Sequence, residues 1–498
     1  MTVPARPTFD LVVAANRLPV DQVARPDGDI EWQRSPGGLV TAMESVMHDQ
    51  AGAWVGWAGE AGAAPAPFED SGIYLRPVAL SAEEVRDYYE GFSNDTLWPI
   101  YHDVIVPASF HREWWSAYEK VNRRFAEAVV EVAAPGARVW IQDYQLQLVP
   151  ALVREARPDV RIGWFDHIPF PPVGLFAQLP WRLQLLEGLL GADFLGFQRR
   201  ADAQNFVRAC RELLNAKTQR DTVTVPGSDR RVRASAVPIS VDFAGLDELA
   251  RRPETIARSR EIRTSLGDPK VLMLGVDRLD YTKGIQHRLK AYHELLDEHR
   301  IGPPEVTLVQ VATPSRERVE AYRTLRDEIE QTVGRINGEF GQIGAPAVHY
   351  LHHSHPREEM AALYLAADVM LVTPLRDGMN LVAKEYVACR YDLGGALVLS
   401  EFAGAWHELH QTFACNPHDI EGLKQTILRA ITTPDKEKRR MMRALRRRVA
   451  DHDVQRWAAR FLGALDIAPE RPSLDPSTGH HHGDEPDMRS NEARGMTQ

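Results

Sequence analysis

The feature that most constrains the fold is an alternation between short apolar runs and longer amphipathic stretches. Short apolar runs separated by helical patterns are typical of parallel strands buried between layers of helices. The sequence therefore predicts an α/β protein made of β-α-β units, with parallel sheets covered on both faces. The runs are Phe9 to Ala15, Arg138 to Gln142, Arg161 to Phe165, Lys270 to Val276, Val306 to Val311, Asp368 to Val372 and Ala396 to Leu399.

The chain changes character between the third and fourth runs. Residues 240–268 are rich in Arg and Glu and poor in aromatics, and Val232 to Ile239 precede them. With 498 residues, the chain is long enough for two large α/β domains. We predict one domain over residues 1–239, a second over 240–451, and a disordered tail over 467–498, where apolar periodicity is lost.

Charge and cysteine content exclude several classes of protein. Lys and Arg total 59 against 69 Asp and Glu, a net charge of −10 that argues against a general nucleic-acid binder. The three cysteines lack C-x-x-C spacing, which argues against a disulfide framework or a zinc site. No basic segment followed by an apolar run begins the sequence, and no stretch reaches the ~18 apolar residues that span a bilayer. We expect a cytoplasmic protein without membrane contact.

One basic segment, Lys436 to Arg448, needs separate treatment. Met441, Leu445 and Val449 recur at four-residue spacing and form an apolar stripe along it. We therefore expect a surface helix packed on the body of the protein rather than an arm that binds nucleic acid.

Charged and polar residues follow the predicted strands. In an open α/β sheet, ligands bind beyond the carboxyl ends of the strands. The residues at these ends are Asn16 and Arg17, Asp143 and Tyr144, Asp166 and His167, Asp277 and Arg278, Thr313 to Arg316, and Arg376 to Gly378. We expect them to line one cleft.

The cations at these strand ends fall into two groups. Arg278 and Lys283 are five residues apart after one strand, a spacing that lets both contact one diphosphate. Neighbouring aspartates would also allow an ordinary ion-pair network. Arg17 and Arg316 follow other strands, and the two groups together indicate two anionic ligands.

Two loops precede helical patterns. Pro36 to Leu39 contains a glycine pair that could present backbone N–H groups to a phosphate, or form a plain tight turn. Asp377 to Asn380 adds a carboxylate that could accept hydrogen bonds from sugar hydroxyls, or cap the helix. Aromatic residues in the insertion after the first strand could belong to the core or contact a sugar: Tyr88, Tyr89, Trp98, Trp114 and Trp115.

Nine motifs occur in order along the chain, and together they resemble the trehalose-6-phosphate synthase family, with wording similar to its actinobacterial members. The motifs are PGGL at Pro36, GWAGE at Gly56, YY at Tyr88, DYQLQLVP at Asp143, HIPFPP at His167, RLDYTKG at Arg278, TPSR at Thr313, RDGMNLVAKEY at Arg376 and SEFAGA at Ser400.

The resemblance implies a retaining glycosyltransferase with two Rossmann-like domains facing across a cleft, the GT-B arrangement. Such an enzyme transfers glucose from UDP-, ADP- or GDP-glucose to glucose 6-phosphate and forms α,α-trehalose 6-phosphate, a step of trehalose biosynthesis linked to osmotic stress. It also implies a helix over about 452–466 that packs back on the first domain, and a homo-oligomer, dimer or tetramer. We expect no cofactor and no required metal, because Arg278 and Lys283 would take the metal's role.

The resemblance also assigns site residues. It implies catalytic roles for Arg278, Lys283, Asp377 and His167, the last two contacting the transferred glucose. The acceptor, glucose 6-phosphate, would contact Arg17, Tyr89, Trp98, Asp143 and Arg316. The donor would contact Gly37, Gly38, Arg278, Lys283, Leu381, Val382, Ala383, Lys384 and Glu385, with Glu385 on the ribose.

Some residues depart from the family pattern. Asp166 stands where relatives often carry an apolar residue, and its carboxylate could orient His167 or face solvent. Trp406 and His407 replace a small residue and Asn, and the pattern is variable around His352, His353 and His355, which leaves donor preference open.

Two alternatives remain: a pseudo-glycosyltransferase that joins a cyclitol nucleotide to an amino-cyclitol phosphate, and a non-catalytic sugar-phosphate sensor. Against the first, residues 376–380 keep the synthase pattern. Against the second, Arg278, Lys283 and Asp377 are all present.

Overall fold

The computed structural model describes residues 7–24, 30–34, 40, 43, 47 and 52–467. Its strands form two large sheets and one hairpin. In chain order they are β1 Phe9–Arg17, β2 Val20–Ala24, β3 Ile30–Arg34, β4 Ala53–Trp57, β5 Phe68–Asp70, β6 Ile73–Val78, β7 Ala133–Gln142, β8 Arg161–Phe165, β9 Phe194–Phe197, β10 Thr218–Gln219, β11 Thr222–Thr224, β12 Arg231–Ala236, β13 Val271–Arg278, β14 Val306–Thr313, β15 Val348–Leu351, β16 Val369–Val372, β17 Ala396–Ser400 and β18 Phe413–Cys415.

Helices cover both faces of the sheets. The α-helices are Ala82–Glu84, Trp98–Tyr101, Arg112–Val132, Val149–Ala156, Val173–Phe176, Arg182–Leu189, Arg200–Leu213, Phe243–Arg251, Pro253–Ser265, Ile285–Asp297, Glu320–Phe340, Arg357–Ala366, Leu381–Cys389, Ile420–Thr432, Asp435–Asp451 and Val454–Asp466. A π-helix spans Val85–Leu97, and 3-10 turns span Tyr144–Leu146, Tyr281–Lys283 and Gly404–His407. Among the described residues, no helix combines the length and apolarity needed to span a bilayer.

The first sheet has ten strands in the order β10-β11-β12-β9-β8-β7-β1-β4-β6-β5, and the second has six in the order β15-β14-β13-β16-β17-β18. The second sheet is parallel throughout. The α/β fold with two Rossmann-like sheets is confirmed, and all seven predicted runs are strands.

The first sheet departs from the predicted parallel arrangement only at its two edges. There β5 pairs antiparallel with β6, and β11 pairs antiparallel with both β10 and β12. Tight turns cause the reversals, because Ser71, Gly72 and Arg220 adopt positive φ angles of 49°, 76° and 55°. The sheet thus ends in short hairpins rather than in further β-α-β units.

The last helix, Val454–Asp466, packs against the first sheet. The Phe461 ring stacks on Trp140 with centroids 4.3 Å apart. Gly163 and Gly196 leave room for this ring, since a Cβ at Gly163 would lie 2.7 Å from it. The helix therefore lies on the sheet of residues 9–236, while the domain boundary near residue 240 stays a prediction.

The basic segment forms the helix Asp435–Asp451, as predicted. Its buried residues are Met442, Leu445 and Val449, so the predicted stripe is wrong by one position at Met441, which is only partly buried. The spacing of three, then four, follows the 3.6-residue period of a helix better than a constant four. The predicted tail over 467–498 lies, beyond Ile467, outside the described residues.

Candidate functional site

The carboxyl ends of the strands in the two sheets meet at one cleft. Arg316, after β14, donates a hydrogen bond from Nη2 to the Tyr144 hydroxyl, after β7, at 3.0 Å. Gly378, after β16, lies so close to the His167 carbonyl that a Cβ at this position would overlap it. The polar residues that follow the predicted strands are therefore brought together across this cleft.

One wall of the cleft contains a cavity of about 360 Å³ lined by Arg17, Tyr89 and Asp143. The Arg17 guanidinium is partly exposed, pairs with Asp21 at 2.6 Å and lies 4.9 Å from the Trp57 ring centroid. This wall offers one cation, a phenol and a carboxylate to a small polar ligand.

Trp98 connects this wall to the opposite half of the cleft. The Arg316 guanidinium carbon lies 3.9 Å from the Trp98 ring centroid, and that of Arg278 lies 5.4 Å away. The His102 ring stacks on the same indole with centroids 4.1 Å apart. Guanidinium groups over an aromatic face are attracted by the ring quadrupole, so Trp98 holds both cations in the cleft.

Arg316 is fixed by a buried polar network. Its side chain is only 4% exposed and lies 3.5 Å from Asp280 Oδ2. The Tyr322 hydroxyl accepts a hydrogen bond from Arg316 and donates one to Asp280 at 3.0 Å. Burial alone would raise the pKa of Asp280, but the charges of Arg316, Arg278 and Lys283 lower it to about 2. Asp280 therefore stays ionised and holds the guanidinium in place.

On the second side, Lys283 and Asp377 form a buried ion pair. Lys283 Nζ lies 2.6 Å from Asp377 Oδ2, which also accepts a hydrogen bond from Asn380 Nδ2 at 3.1 Å. Burial opposes ionisation of Asp377, but the ammonium of Lys283 outweighs it and lowers the pKa of this carboxyl. Gly284, with φ of 65°, ends the 3-10 turn and packs on Thr373 too tightly for a side chain. The turn thus aims Lys283 at the carboxylate.

Asp143 occupies strained backbone at the end of β7. Its φ and ψ are 72° and 172°, a region almost restricted to glycine. The His167 N–H donates to Asp143 Oδ1 at 3.1 Å, and the Asp143 N–H donates to the Phe165 carbonyl at 2.7 Å. Burial raises the pKa of Asp143 to about 6, although Arg278 and Arg316 partly oppose this. Strain of this kind clusters at functional sites.

His167 is neutral because burial lowers its pKa to about 3. Its Nε2 lies 2.9 Å from Gln142 Oε1, so the Nε2–H donates and Nδ1 is left as an acceptor.

Both interpretations of Asp166, that it orients His167 or that it faces solvent, are wrong. Asp166 is fully buried, so it does not face solvent, and Gln142 rather than Asp166 contacts the His167 ring. Its Oδ1 receives a long hydrogen bond from the Ile168 N–H at 3.4 Å, while Oδ2 has no partner. Burial and the neighbouring Asp143 and Asp202 raise the pKa of Asp166 well above its ordinary value.

The helix Leu381–Cys389 directly follows Asn380, whose φ is 67°. Leu381 and Val382 are half-buried and Ala383 is buried. Lys384 turns away from the start of the helix: its Nζ donates to the Ile239 carbonyl at 2.8 Å and pairs with Glu408. Only the backbone of Lys384 is therefore available to contact a donor substrate.

Glu385 accepts a hydrogen bond from the Tyr364 hydroxyl at 2.9 Å. Trp406 and His407 lie in the 3-10 turn Gly404–His407, which abuts the loop that carries Asp377, because Gly404 touches Gly378. The predicted donor residues Gly37 and Gly38 lie outside the described residues.

Sequence reasoning missed several residues of the cleft. His102 follows Trp98 by four residues, a helical spacing that would have predicted the stacking. Gln142 ends β7 and could have been found by the same strand-end rule as Asp143. Tyr322 lies in a long amphipathic helix, and no signal in the sequence separates it from core residues. Among the described residues, no group of three or more His, Cys, Asp or Glu side chains could hold a metal ion.

The chain is similar to known proteins over most of its length. The model of glycosyltransferase family 20 matches residues 10–467. A trehalose-6-phosphate synthase of Mycobacterium avium (strain 104) is 59% identical over 467 residues, which cover 92% of this chain and 95% of the relative.

Two solved structures are similar over nearly their whole length. One is a UDP-forming α,α-trehalose-phosphate synthase from Burkholderia xenovorans in complex with glucose 6-phosphate, with a TM-score of 0.83, 32% identity, and coverage of 92% of this chain and 100% of that one. The other, from E. coli, is bound with UDP-2-fluoro glucose, with a TM-score of 0.84, 32% identity, and coverage of 93% and 100%.

Proposed function

Since this chain belongs to glycosyltransferase family 20, whose matched relatives are trehalose-6-phosphate synthases, we propose that it transfers glucose from a nucleoside diphosphate glucose to glucose 6-phosphate. The product would be α,α-trehalose 6-phosphate, formed with retention of configuration at the transferred glucose. The donor is UDP-, ADP- or GDP-glucose. Related structures hold glucose 6-phosphate and a UDP-glucose analogue, which supports this pair of substrates.

One observation carries the proposal: the cleft holds two cationic positions. Arg316 belongs to one and Arg278 to the other, and both lie beside the Trp98 ring. Arg316, fixed by Asp280 and stacked on Trp98, suits the single phosphate of the acceptor. Arg278 and Lys283 suit the diphosphate of the donor, since charge-assisted contacts from Arg and Lys are strong for phosphate oxygens. The reaction needs these two anions side by side.

The ion pair between Lys283 and Asp377 links sugar and diphosphate. Lys283 has three N–H donors and uses one on Asp377, which leaves two for phosphate oxygens. Asp377 stays ionised and can accept hydrogen bonds from hydroxyls of the transferred glucose. The neutral His167 ring, held by Gln142, offers Nδ1 as a further acceptor.

In the proposed step, the bond between the anomeric carbon and the diphosphate oxygen breaks while the anomeric hydroxyl of glucose 6-phosphate attacks the same face. Its proton passes to the departing phosphate oxygen, so no protein base is needed. Arg278 and Lys283 stabilise the negative charge that develops on the diphosphate, a preorganised electrostatic effect. In our proposal these two cations make a divalent metal unnecessary.

Product NMR on purified protein tests this function. Glucose 6-phosphate is mixed with UDP-, ADP- or GDP-glucose in separate tubes, and the anomeric signals of the product are read. An α,α-1,1-linked disaccharide phosphate in any tube is the expected result, and relative rates rank the donors. If both ligands bind and no tube forms this product, cyclitol coupling or sugar-phosphate sensing replaces the proposal.

A further inference from the structure

A second cavity, of about 650 Å³, lies outside the substrate cleft. None of the residues assigned above to either substrate lines it. One wall comes from the π-helix and the helix Arg112–Val132, and the other from Tyr281, Gln286 and the start of the helix Glu320–Phe340. A volume of this size is typical of small-molecule sites. The cavity therefore bridges the two halves of the protein.

The walls of this cavity continue directly from residues of the acceptor site. Glu90 follows Tyr89, and Arg318 follows Arg316 by two residues; Glu90 and Arg318 approach to 3.6 Å across the cavity. A ligand that contacts both segments would hold together the same two segments that bring Tyr89 and Arg316 to the acceptor. A ligand here would therefore act on two segments that also carry proposed acceptor residues.

The charges of the lining disfavour a phosphorylated ligand. The two guanidinium groups are already paired: Arg86 with Asp87 at 2.7 and 2.9 Å, and Arg318 with Glu90. Other carboxylates face the cavity, from Asp95, Glu320 and Glu328. Carboxylates repel a phosphate and accept hydrogen bonds from hydroxyls, so the lining disfavours an anionic ligand and suits one rich in hydroxyl groups.

Aromatic and amide groups complete a sugar-binding surface. Trp114 lines the cavity beside Gly91, where a Cβ would come within 2.5 Å of its ring. The partly exposed Tyr281 lines the same cavity, and Gln286 donates to Glu328 at 2.6 Å. Partly exposed aromatic rings suit the apolar face of a sugar ring, and the carboxylates of the lining accept hydrogen bonds from its hydroxyls.

We propose that this cavity binds a neutral, unphosphorylated sugar of one or two rings, and that the bound sugar tightens the binding of glucose 6-phosphate. The site is distinct from both substrate positions. Its ligand differs from both substrates in carrying no phosphate.

Ligand-detected NMR with the whole chain tests the binding. Saturation transfer to α,α-trehalose and to maltose is measured with glucose 6-phosphate at saturation, so that the acceptor site is occupied. The same titration is made with Asp95→Asn, Glu320→Gln and the matched control Asp327→Asn, a surface carboxylate of the same helix as Glu320 that does not line the cavity. Circular dichroism confirms that each variant is folded.

We expect binding of at least one sugar in the presence of glucose 6-phosphate, weakened about fivefold or more in each cavity variant by the loss of a charged acceptor and unchanged in Asp327→Asn. In turnover assays the same sugar should lower the half-saturating concentration of glucose 6-phosphate by about fivefold, a small allosteric coupling. The proposal is overturned if neither sugar binds, if glucose 6-phosphate displaces the sugar, if the control variant loses binding equally, or if half-saturation does not change.

Discussion

Lys283 Nζ lies 2.6 Å from Asp377 Oδ2, although the two residues are 94 positions apart in the chain. Both side chains are nearly buried, at 10% and 12% exposed. Lys283 follows β13 and Asp377 follows β16, which are neighbours in the second sheet. In the proposed complex Asp377 contacts the glucose and Lys283 contacts the diphosphate. Because the two side chains are paired, displacement of either one also displaces the other.

Lys283→Ala should lower turnover by about a hundredfold or more, since one preorganised charge contact at a leaving group is worth ~2.7–4 kcal/mol. The variant also leaves Asp377 without its counter-charge. Turnover numbers are measured at saturating substrates, with the exposed Lys290→Ala on the following helix as the control. A turnover number equal to that of the unmodified protein would contradict the proposed role.

Arg316→Ala should weaken the binding of glucose 6-phosphate and leave the affinity for the donor nearly intact. A hydrogen bond to a charged group contributes about 1.5–3 kcal/mol, so the dissociation constant should rise about ten- to a hundredfold. Calorimetric titration of both ligands measures this, and Arg323→Ala, an exposed arginine nearby, is the control. Loss of donor affinity alone would refute the two-site assignment.

The fold could be predicted where the pattern is local and repeated. Each of the seven apolar runs is a strand, because a buried parallel strand needs apolar residues on both faces. The strand Ala53–Trp57 was missed although it is fully buried, and Ile73–Val78 contains Pro77, which breaks the pattern. The hairpins at the sheet edge depend on single residues with positive φ, which the pattern does not reveal.

The site could be predicted where residues come from strand ends of one sheet, as Lys283 and Asp377 do. Contacts between the two halves depend on how they dock, so the stacking of Arg316 on Trp98 could not be predicted from spacing. The two interpretations of Asp166 were wrong because they did not consider which side of the chain its side chain faces. Successive residues of an extended chain point to opposite sides, so the residue beside His167 faces the interior.

Asp166→Leu should stabilise the protein at pH 8. The carboxyl is fully buried, and its Oδ2 lacks a hydrogen-bond partner, a state that costs about 1–3 kcal/mol. Because burial raises the folded-state pKa of Asp166, protonation favours the folded state, and this contribution is lost as the pH rises above the unfolded value near ~3.9.

The variant should therefore gain stability over the unmodified protein as the pH increases from acid to pH 8. Urea unfolding at several pH values measures this gain. A variant less stable at pH 8 than the unmodified protein would show that the carboxylate has a partner that offsets its burial.

Asp143→Gly should be more stable than Asp143→Ala, the reverse of the usual order. In most helix and strand interiors Gly is less stable than Ala by about 0.5–1 kcal/mol. At Asp143, φ of 72° and ψ of 172° place the backbone where a Cβ is strained by about 1–3 kcal/mol, and only Gly relieves it. Both variants lose the hydrogen bond from the His167 N–H, so this loss cancels in the comparison.

Denaturant unfolding of the two variants measures the difference directly, and both should lose affinity for glucose 6-phosphate because the carboxylate is gone. The pair of variants therefore separates strain from ligand contact at one position. If Asp143→Ala is as stable as Asp143→Gly or more so, the backbone at Asp143 is unstrained. In that case the hydrogen bond from His167, rather than a constrained backbone, would position this carboxylate in the cleft.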